Sequence, residues 1–477
     1  MKKRFLTALI CFCLLSGYAQ DSSRTAVTLT LKECIETATK NNIDVKRSDY
    51  AAENNKADWQ YAKAQLLPSM NGAVSHGSNQ GRNINPYTNG YINQSVNFAN
   101  YSLDGSLNIF SGLSTENYIK QNKLAFEAGK SDAQQQRDYV TINVILAYLS
   151  VLSNQDQLTL AEQQAEVSRQ QVDRLKILNG EGAITPSKYY DLKGQLSTDE
   201  LNIITTKNAL ETAKVNLAQL MNVAYSEDVV LERIGSDKTP DAYEVTVENI
   251  YNSASKNLAI IKAAEYHHTS AIKGIKVAKG LLYPRLSLNG GLGTNYSSTG
   301  TLQQYISSSD VASNNYVLLN SQKIPVYSPD PVYTSSKISY GDQWKNNFNS
   351  YVNVTVSIPL LNGLQTRYRI KQAEILEDRT LYEEKTTKIQ LKQSIEQAYV
   401  NNKSSFQRYQ TLSRQVEDLA ESFREAQIQF ESGALTSVEF LIVKSRLDQA
   451  RLSLVSAQYD YILRSKVLDY YQSKPLF

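Results

Sequence analysis

The chain repeats itself, and a repeat of this length constrains the fold more than any other feature it carries. Thr39-Lys40-Asn41 aligns with Ser255-Lys256-Asn257, and Leu67-Pro68-Ser69-Met70 with Tyr283-Pro284-Arg285-Leu286, both at an offset of 216. Phe110-Ser111-Gly112-Leu113 aligns with Leu361-Asn362-Gly363-Leu364, Ala147-Tyr148 with Ala398-Tyr399, and Gly182-Ala183-Ile184-Thr185 with Gly433-Ala434-Leu435-Thr436, all at 251. The offset is constant on each side of one break, so the second copy carries 35 extra residues between Pro284 and Gly363. Each copy orders its elements alike. A helix (30–67 and 247–282) precedes two strand-like stretches around a loop. A very long helix comes next (113–178 and 364–430), then a glycine-containing turn and a last helix (186–221 and 437–471).

The helices rest on heptads. Leu412, Val416, Leu419, Phe423, Ala426 and Phe430 step by four and three, as do Val443, Leu447, Ala450, Leu454, Ala457 and Tyr461. Leu158, Ala161, Ala165, Ser168, Val172 and Leu175 form the same seam in the first copy. A sustained seven-residue repeat predicts coiled-coil packing. Only 10 prolines occur in 477 residues, which fits long uninterrupted helices. The strands rest on alternation. Tyr101, Leu103, Leu107 and Ile109 alternate with Ser102, Asp104, Ser106 and Asn108; Val352, Val354, Val356, Ile358 and Leu360 alternate with Asn353, Thr355 and Ser357. Leu286, Leu288 and Leu292 alternate with Arg285, Ser287 and Asn289, and the weakest pattern lies near Met70 to Val74. Alternation alone fits either a lipid-facing barrel strand or a soluble sheet with one wet face.

The first residues read as a secretory signal. Lys2, Lys3 and Arg4 precede the short apolar run Phe5 to Leu15, and Gly17-Tyr18-Ala19 sets a cut after Ala19. Its removal takes three cations and brings the formal charge from +3 to zero, without the basic footprint that a nucleic-acid partner requires. It also leaves Cys34 as the one cysteine, so no intrachain disulfide forms; Cys34 reads as a small buried helix residue. No mature segment has the apolar run of about 18 residues that a membrane helix needs, so a membrane span must be built from strands. Two copies supply four strands. Four alone would leave open edges in lipid, so further copies of the chain must complete them, two giving eight strands and three giving twelve.

No catalytic constellation stands out, and no cofactor or metal is expected. His76, His267 and His268 read as solvated side chains without a flanking ligand cluster. Gly290, Gly291 and Gly293 lie in a strand and open no helix, unlike a nucleotide loop. Acid–base pairs along the helices read as wet coiled-coil faces. The reading is a conduit rather than an enzyme. The alternative is a periplasmic coiled-coil adaptor or scaffold protein, which would show one helical hairpin between sheet halves where this chain has two hairpins and apolar strand pairs.

Leu29-Thr30-Leu31-Lys32-Glu33-Cys34-Ile35 through Asn41-Asn42, then Leu66-Leu67-Pro68, resembles the opening of TolC-like outer membrane efflux proteins. So do the junctions Ile109-Phe110-Ser111-Gly112 and Ile358-Pro359-Leu360-Leu361-Asn362-Gly363, and the paired turns at Gly182 and Gly433. The resemblance covers nearly the whole chain after residue 19. It implies a mostly α chain with a membrane β-barrel: four strands per protomer completing a 12-stranded homotrimeric barrel, continued by a long coiled-coil α-barrel. It implies a division into a signal peptide (1–19), a first repeat (20–222), an equatorial linker (223–243) and a second repeat (244–477) with a longer extracellular loop at 297–345. It implies an outer-membrane exit duct working with a periplasmic adaptor and an inner-membrane transporter. The adaptor-docking tip would comprise Gly182, Ala183, Ile184 and Thr185 with Gly433, Ala434, Leu435 and Thr436, exposing Ile184 or Leu435. Thr185 and Thr436 sit where helix N-caps belong, with Pro186 in the first turn and Glu439 placed to complete a capping box with Thr436. Relatives carry an acidic pair at a periplasmic constriction. Here Glu439 matches the first position and Ile442 fills the second, while Asp191 stands at the equivalent place in the first copy.

Overall fold

Two periodicities, seven and two, should give two kinds of element, and the computed structural model contains both. It describes residues 27–85, 87–233 and 242–475, so the signal segment and residues 234–241 of the 223–243 linker lie outside the described residues. In chain order the elements are β1 (Val27–Leu29), α1 (Leu31–Asn41), α2 (Ile43–Ala64), β2 (Ser69–Asn79), β3 (Arg82–Ile84), β4 (Tyr91–Asn93), β5 (Val96–Phe110), α3 (Ser114–Gly180) and α4 (Pro186–Met221). Then come β6 (Val229–Leu231), α5 (Val247–Asn257), α6 (Ala259–Gly280), β7 (Arg285–Ser297), β8 (Thr301–Leu319), β9 (Gln322–Lys337), α7 (Tyr340–Asn346), β10 (Asn349–Ser357), α8 (Gln365–Glu431) and α9 (Ser437–Tyr471).

The chain forms two compact units, both of which draw on α3 and α8. Those helices have 67 residues each, about 100 Å at 1.5 Å per residue. In the helical unit the heptad seams are the packed faces: Ala161, Ala165, Ser168, Val172, Leu175, Leu447, Ala450, Ala457 and Tyr461 are all buried. One core gathers Cys34, Val45, Val144, Tyr148 and Leu217, and a second gathers Ile250, Ile261, Ile395 and Leu468. The short strands β1 and β6 pair in parallel. Tyr148 ties them, its hydroxyl donating to the carbonyls of Leu29 at 3.2 Å and Glu232 at 2.6 Å. Cys34 is fully buried, and burial pushes its thiol up to about 11, which leaves little thiolate for reaction.

The first helix of each copy departs from the expectation of one continuous element. It breaks at Asn42 and at Leu258, both with extended backbone, 216 positions apart. Asn42 caps the start of α2, its Oδ1 accepting from the N–H of Asp44 at 2.9 Å and of Val45 at 3.2 Å. A side chain that competes for backbone donors ends one helix and starts the next.

In the other unit, β10, β7, β5 and β2 form a four-stranded antiparallel sheet in that order. The register places Met70, Leu103, Leu107, Leu288, Leu292, Val352, Val354 and Val356 on one face. A bulge at Ile109 brings Phe110 opposite Leu286 at the helix end of the sheet. The other face is polar: Tyr351 donates to Asp104 Oδ1 at 3.1 Å, and Asn289 Nδ2 to Asn353 Oδ1 at 3.2 Å. The outer strands β2 and β10 have no further partner among the described residues.

The 35 extra residues are not an irregular loop. They contribute β8 and β9, a two-stranded ribbon turning at Asn320 and Ser321, both at positive φ, the backbone a tight hairpin requires. Pro325, Pro329 and Pro331 all fall on one parity of β9. Proline enters a paired strand only where its missing N–H faces away from the partner, so all three strip donors from the outer edge of β9. No proline interrupts β8. At the ribbon's base Gln343, 1% exposed, accepts from the N–H of Ser297 at 2.9 Å and donates to the carbonyls of Ser297 at 3.0 Å and Ile338 at 3.1 Å. A side chain at Gly300 would meet that amide at 2.6 Å.

Candidate functional site at the helical hairpin tips

Both long helices end in the same device. Gly182 has φ +74° and Gly433 φ +80°, with no atom near either absent Cβ, so glycine is required for its backbone and not for space. The N–H of Ala183 donates to Leu178 O at 2.9 Å and that of Gly182 to Asn179 O at 3.1 Å; Ala434 donates to Gln429 O at 2.9 Å and Gly433 to Phe430 O at 3.2 Å. These six-to-one and five-to-two bonds satisfy the last carbonyls of each helix, a Schellman stop. The next helices, α4 and α9, start differently. Thr436 and Glu439 form the full reciprocal capping box. Thr185 occupies the N-cap before Pro186 but makes no side-chain cap bond, and with Lys188 as the third helical residue there is no carboxylate to form the reciprocal half of a box.

Ile184 and Leu435 are not the exposed apolar side chains expected of them. Both are half-buried and fold back on a cluster of Val172, Leu175, Leu192, Phe430 and Phe440, in which the last two rings stack at 4.5 Å. A small core is available beneath each turn, and burial wins over exposure. The exposed apolar groups of this region are instead Ile177, Tyr190, Val438 and Ile442. Arg174 joins the two hairpins, donating to Glu431 O at 2.9 Å.

The two acids named for a constriction meet the same turn of α9. Ser437 Oγ donates to Asp191 Oδ2 at 2.8 Å. Glu439 accepts from Thr436 Oγ1 at 2.8 Å and from its N–H at 3.0 Å, and those bonds hold its carboxyl below the usual range. It stays ionised, with one oxygen committed to the cap.

Sequence reasoning missed a buried ionic cluster above the tips. Lys444, 2% exposed, donates to Asp199 Oδ2 at 2.9 Å and to Asp448 Oδ2 at 2.8 Å, and Gln195 donates to Asp199 Oδ1 at 2.8 Å. Burial pushes the Asp448 carboxyl up. The i,i+4 spacing of Lys444 and Asp448 was visible, but it reads as a wet surface pair until α4 supplies Asp199. His76 is exposed as expected, but the other two histidines have partners that the expectation did not include. His267 Nε2 lies 2.9 Å from Asp132 and His268 Nδ1 2.7 Å from Glu384, so both are held by carboxylates. His76 lies in β2 opposite Ala99. Among the described residues no group of three or more His, Cys, Asp or Glu side chains is arranged to hold a metal ion, and no helix is long and apolar enough to cross a membrane.

The sheet has one apolar and one polar face, the pattern that strands of a membrane barrel carry, in a chain whose longest elements are helical hairpins. The sequence profile of the outer membrane efflux protein family matches residues 34–223 and 250–469, one segment per repeat, and the chain belongs to that family. It is 22% identical over 405 residues to outer membrane protein TolC of Vibrio cholerae serotype O1, covering 84% of this chain and 81% of the relative. It is 22% identical over 411 residues to outer membrane protein TolC of Escherichia coli strain K12, covering 84% and 73%. Among solved structures, that of CusC superposes with a TM-score of 0.74 at 15% identity over 96% of each chain. VceC from Vibrio cholerae gives 0.72 at 13% identity over 94% of this chain and 97% of the other. The chain is thus an outer-membrane exit duct of an efflux system, with a periplasmic extension. Its family is one of transport channels, not of enzymes.

Proposed function

We propose that three copies of the chain close into one passive conduit through which an energised inner-membrane transporter, joined by a periplasmic adaptor, expels its cargo. The four-stranded sheet carries this reading. It has one apolar face and two unpaired outer strands, and unpaired strand edges are not tolerated in hydrocarbon. Three copies supply twelve strands, and their hairpins close alongside into a coiled-coil tube. In this reading residues 1–19 are a cleaved signal, 20–222 and 244–477 are the two repeats, 223–243 belongs to an equatorial belt, and 297–345 faces the outside of the cell.

The tips serve as the adaptor-docking rim. Gly182, Ala183, Ile184 and Thr185, with Gly433, Ala434, Leu435 and Thr436, form the rigid turns; Ile177, Tyr190 and Val438 supply the apolar contact, and Asp191 and Glu439 face the constriction. Tyr190→Asp combined with Val438→Asp is expected to abolish efflux of a fluorescent dye while folded trimers stay in the membrane. Loss of the trimers would assign these side chains to assembly, and unchanged efflux would sink the docking claim.

A further inference from the structure

The short helix α7 lies against the sheet, and the register fixes which face it covers. Tyr101 shares a face with Leu103 and Leu107, and Thr294 and Tyr296 share it with Leu288 and Leu292. Trp344 packs edge-on against Tyr101 with ring centroids 4.5 Å apart, Tyr340 lies 4.7 Å from Tyr296, and Thr294 Oγ1 donates to Trp344 O at 2.8 Å. The helix therefore sits on the apolar face. It sits at the end of β5 and β7 remote from Phe110 and Arg285, where the strands join their helices.

In a membrane barrel the apolar face is the outer one. The bare stretch of that face, from Leu286 to Leu292 on β7, runs about 20 Å along the strand at 3.3 Å per residue, or about 15 Å of depth at the tilt of barrel strands, and lies within the apolar band of about 25 Å that such barrels show. Its far limit is α7. Tyr340, Trp344 and Phe348 remain 45%, 42% and 56% exposed, although they are large rings. Two of them have polar tips, and Lys345 and Asp342 border them. Such rings suit the level at which lipid chains meet their headgroups. The strands beneath α7 are the two central ones of the sheet, so a neighbouring copy joining at β2 or β10 is not what covers it.

We infer that α7 is an interfacial anchor: Tyr340, Trp344 and Phe348 dock into the ester and headgroup level of the outer leaflet, set the depth of the barrel and hold the β8–β9 ribbon clear of the hydrocarbon. The inference rests on the outer-membrane reading, and its test separates the two. Full-length protein carrying Trp59→Phe, with Trp344 as its only tryptophan, is reconstituted into phosphatidylcholine vesicles brominated either near the ester or near the chain end. A wild-type minus Trp344→Phe difference spectrum gives the same readout without altering Trp59. Trp344 emission is expected to be lost more to the ester-level bromines than to the deep ones. Loss to aqueous iodide with neither bromine effective overturns the inference, as does stronger loss to the deep bromines. Shielding from all three quenchers also overturns it and places a protein partner there. Val354→Trp, in a background lacking both native tryptophans, is expected to be quenched by the deep bromines. If it is not, the barrel reading itself fails.

Discussion

Lys444 is buried between two carboxylates. A buried ammonium is tolerable only while its carboxylates are in place, and here one comes from α4 and one from its own helix. Lys444→Met is expected to cost about 3–5 kcal/mol by stranding Asp199 and Asp448, read as a lowered denaturation midpoint. Replacing all three groups by apolar ones should recover most of that loss, and no recovery would show that the cluster does more than neutralise itself. The His267–Asp132 pair makes a different, pH-dependent contribution. The hydrogen bond to Asp132 holds the imidazole above its ordinary value of 6.5. A raised folded pKa adds stability that is complete below the unfolded pKa and lost as pH rises through the folded one. Asp132→Asn should therefore lower Tm at about pH 6 and change it little at about pH 9. An undiminished difference at the higher pH would show the contact to be non-ionic. Half of this side chain is exposed, so the effect is modest.

At the scale of elements, the hairpin stops depend on two glycines in left-handed backbone. Gly433→Val should cost about 1–2 kcal/mol and Gly433→Asn much less, measured as faster amide exchange in the last turn of α8. Equal protection in the two variants would refute the argument. Gln343→Leu strips partners from Ser297 and Ile338 and is expected to expose the base of the β8–β9 ribbon to protease on intact cells, where the parent is cut more slowly. Legibility in the sequence obeys the same local logic. The bounds of α3, α4, α8 and α9 could be read because apolar seams, Gly182 and Gly433, Pro186 and Thr436 all agree there. The break at Asn42 was hidden because its cause is one side chain bonding to backbone two and three residues on. The ribbon was hidden because Ser, Asn and Pro resemble a loop in composition, and α7 because 7 residues are too few to show a period. At the tips the positions were legible, but the burial of Ile184 and Leu435 depends on Phe440 and Val172 converging from other helices.

For the whole molecule, the unpaired β2 and β10 predict that the protein extracted in mild detergent has a mass near three times that of its 53.5 kDa chain. A folded monomer with the full strand content would overturn the closed conduit. In the orientation proposed above the ribbon raises the opposite question, because it would carry strand edges into the water outside the cell. Fibril growth needs each unit to accept a newcomer along one edge and to present another edge to the next. With Pro325, Pro329 and Pro331 the outer edge of β9 lacks three of its N–H donors, so a strand laid along β8 leaves a poor template for the next one. Replacing the three prolines by threonine should turn the purified protein from inert to thioflavin-positive on storage, while a variant as inert as its parent would mean that something other than the prolines guards that edge. A densely displayed surface hairpin can in this way stay long, aromatic and sparsely charged without seeding its neighbours.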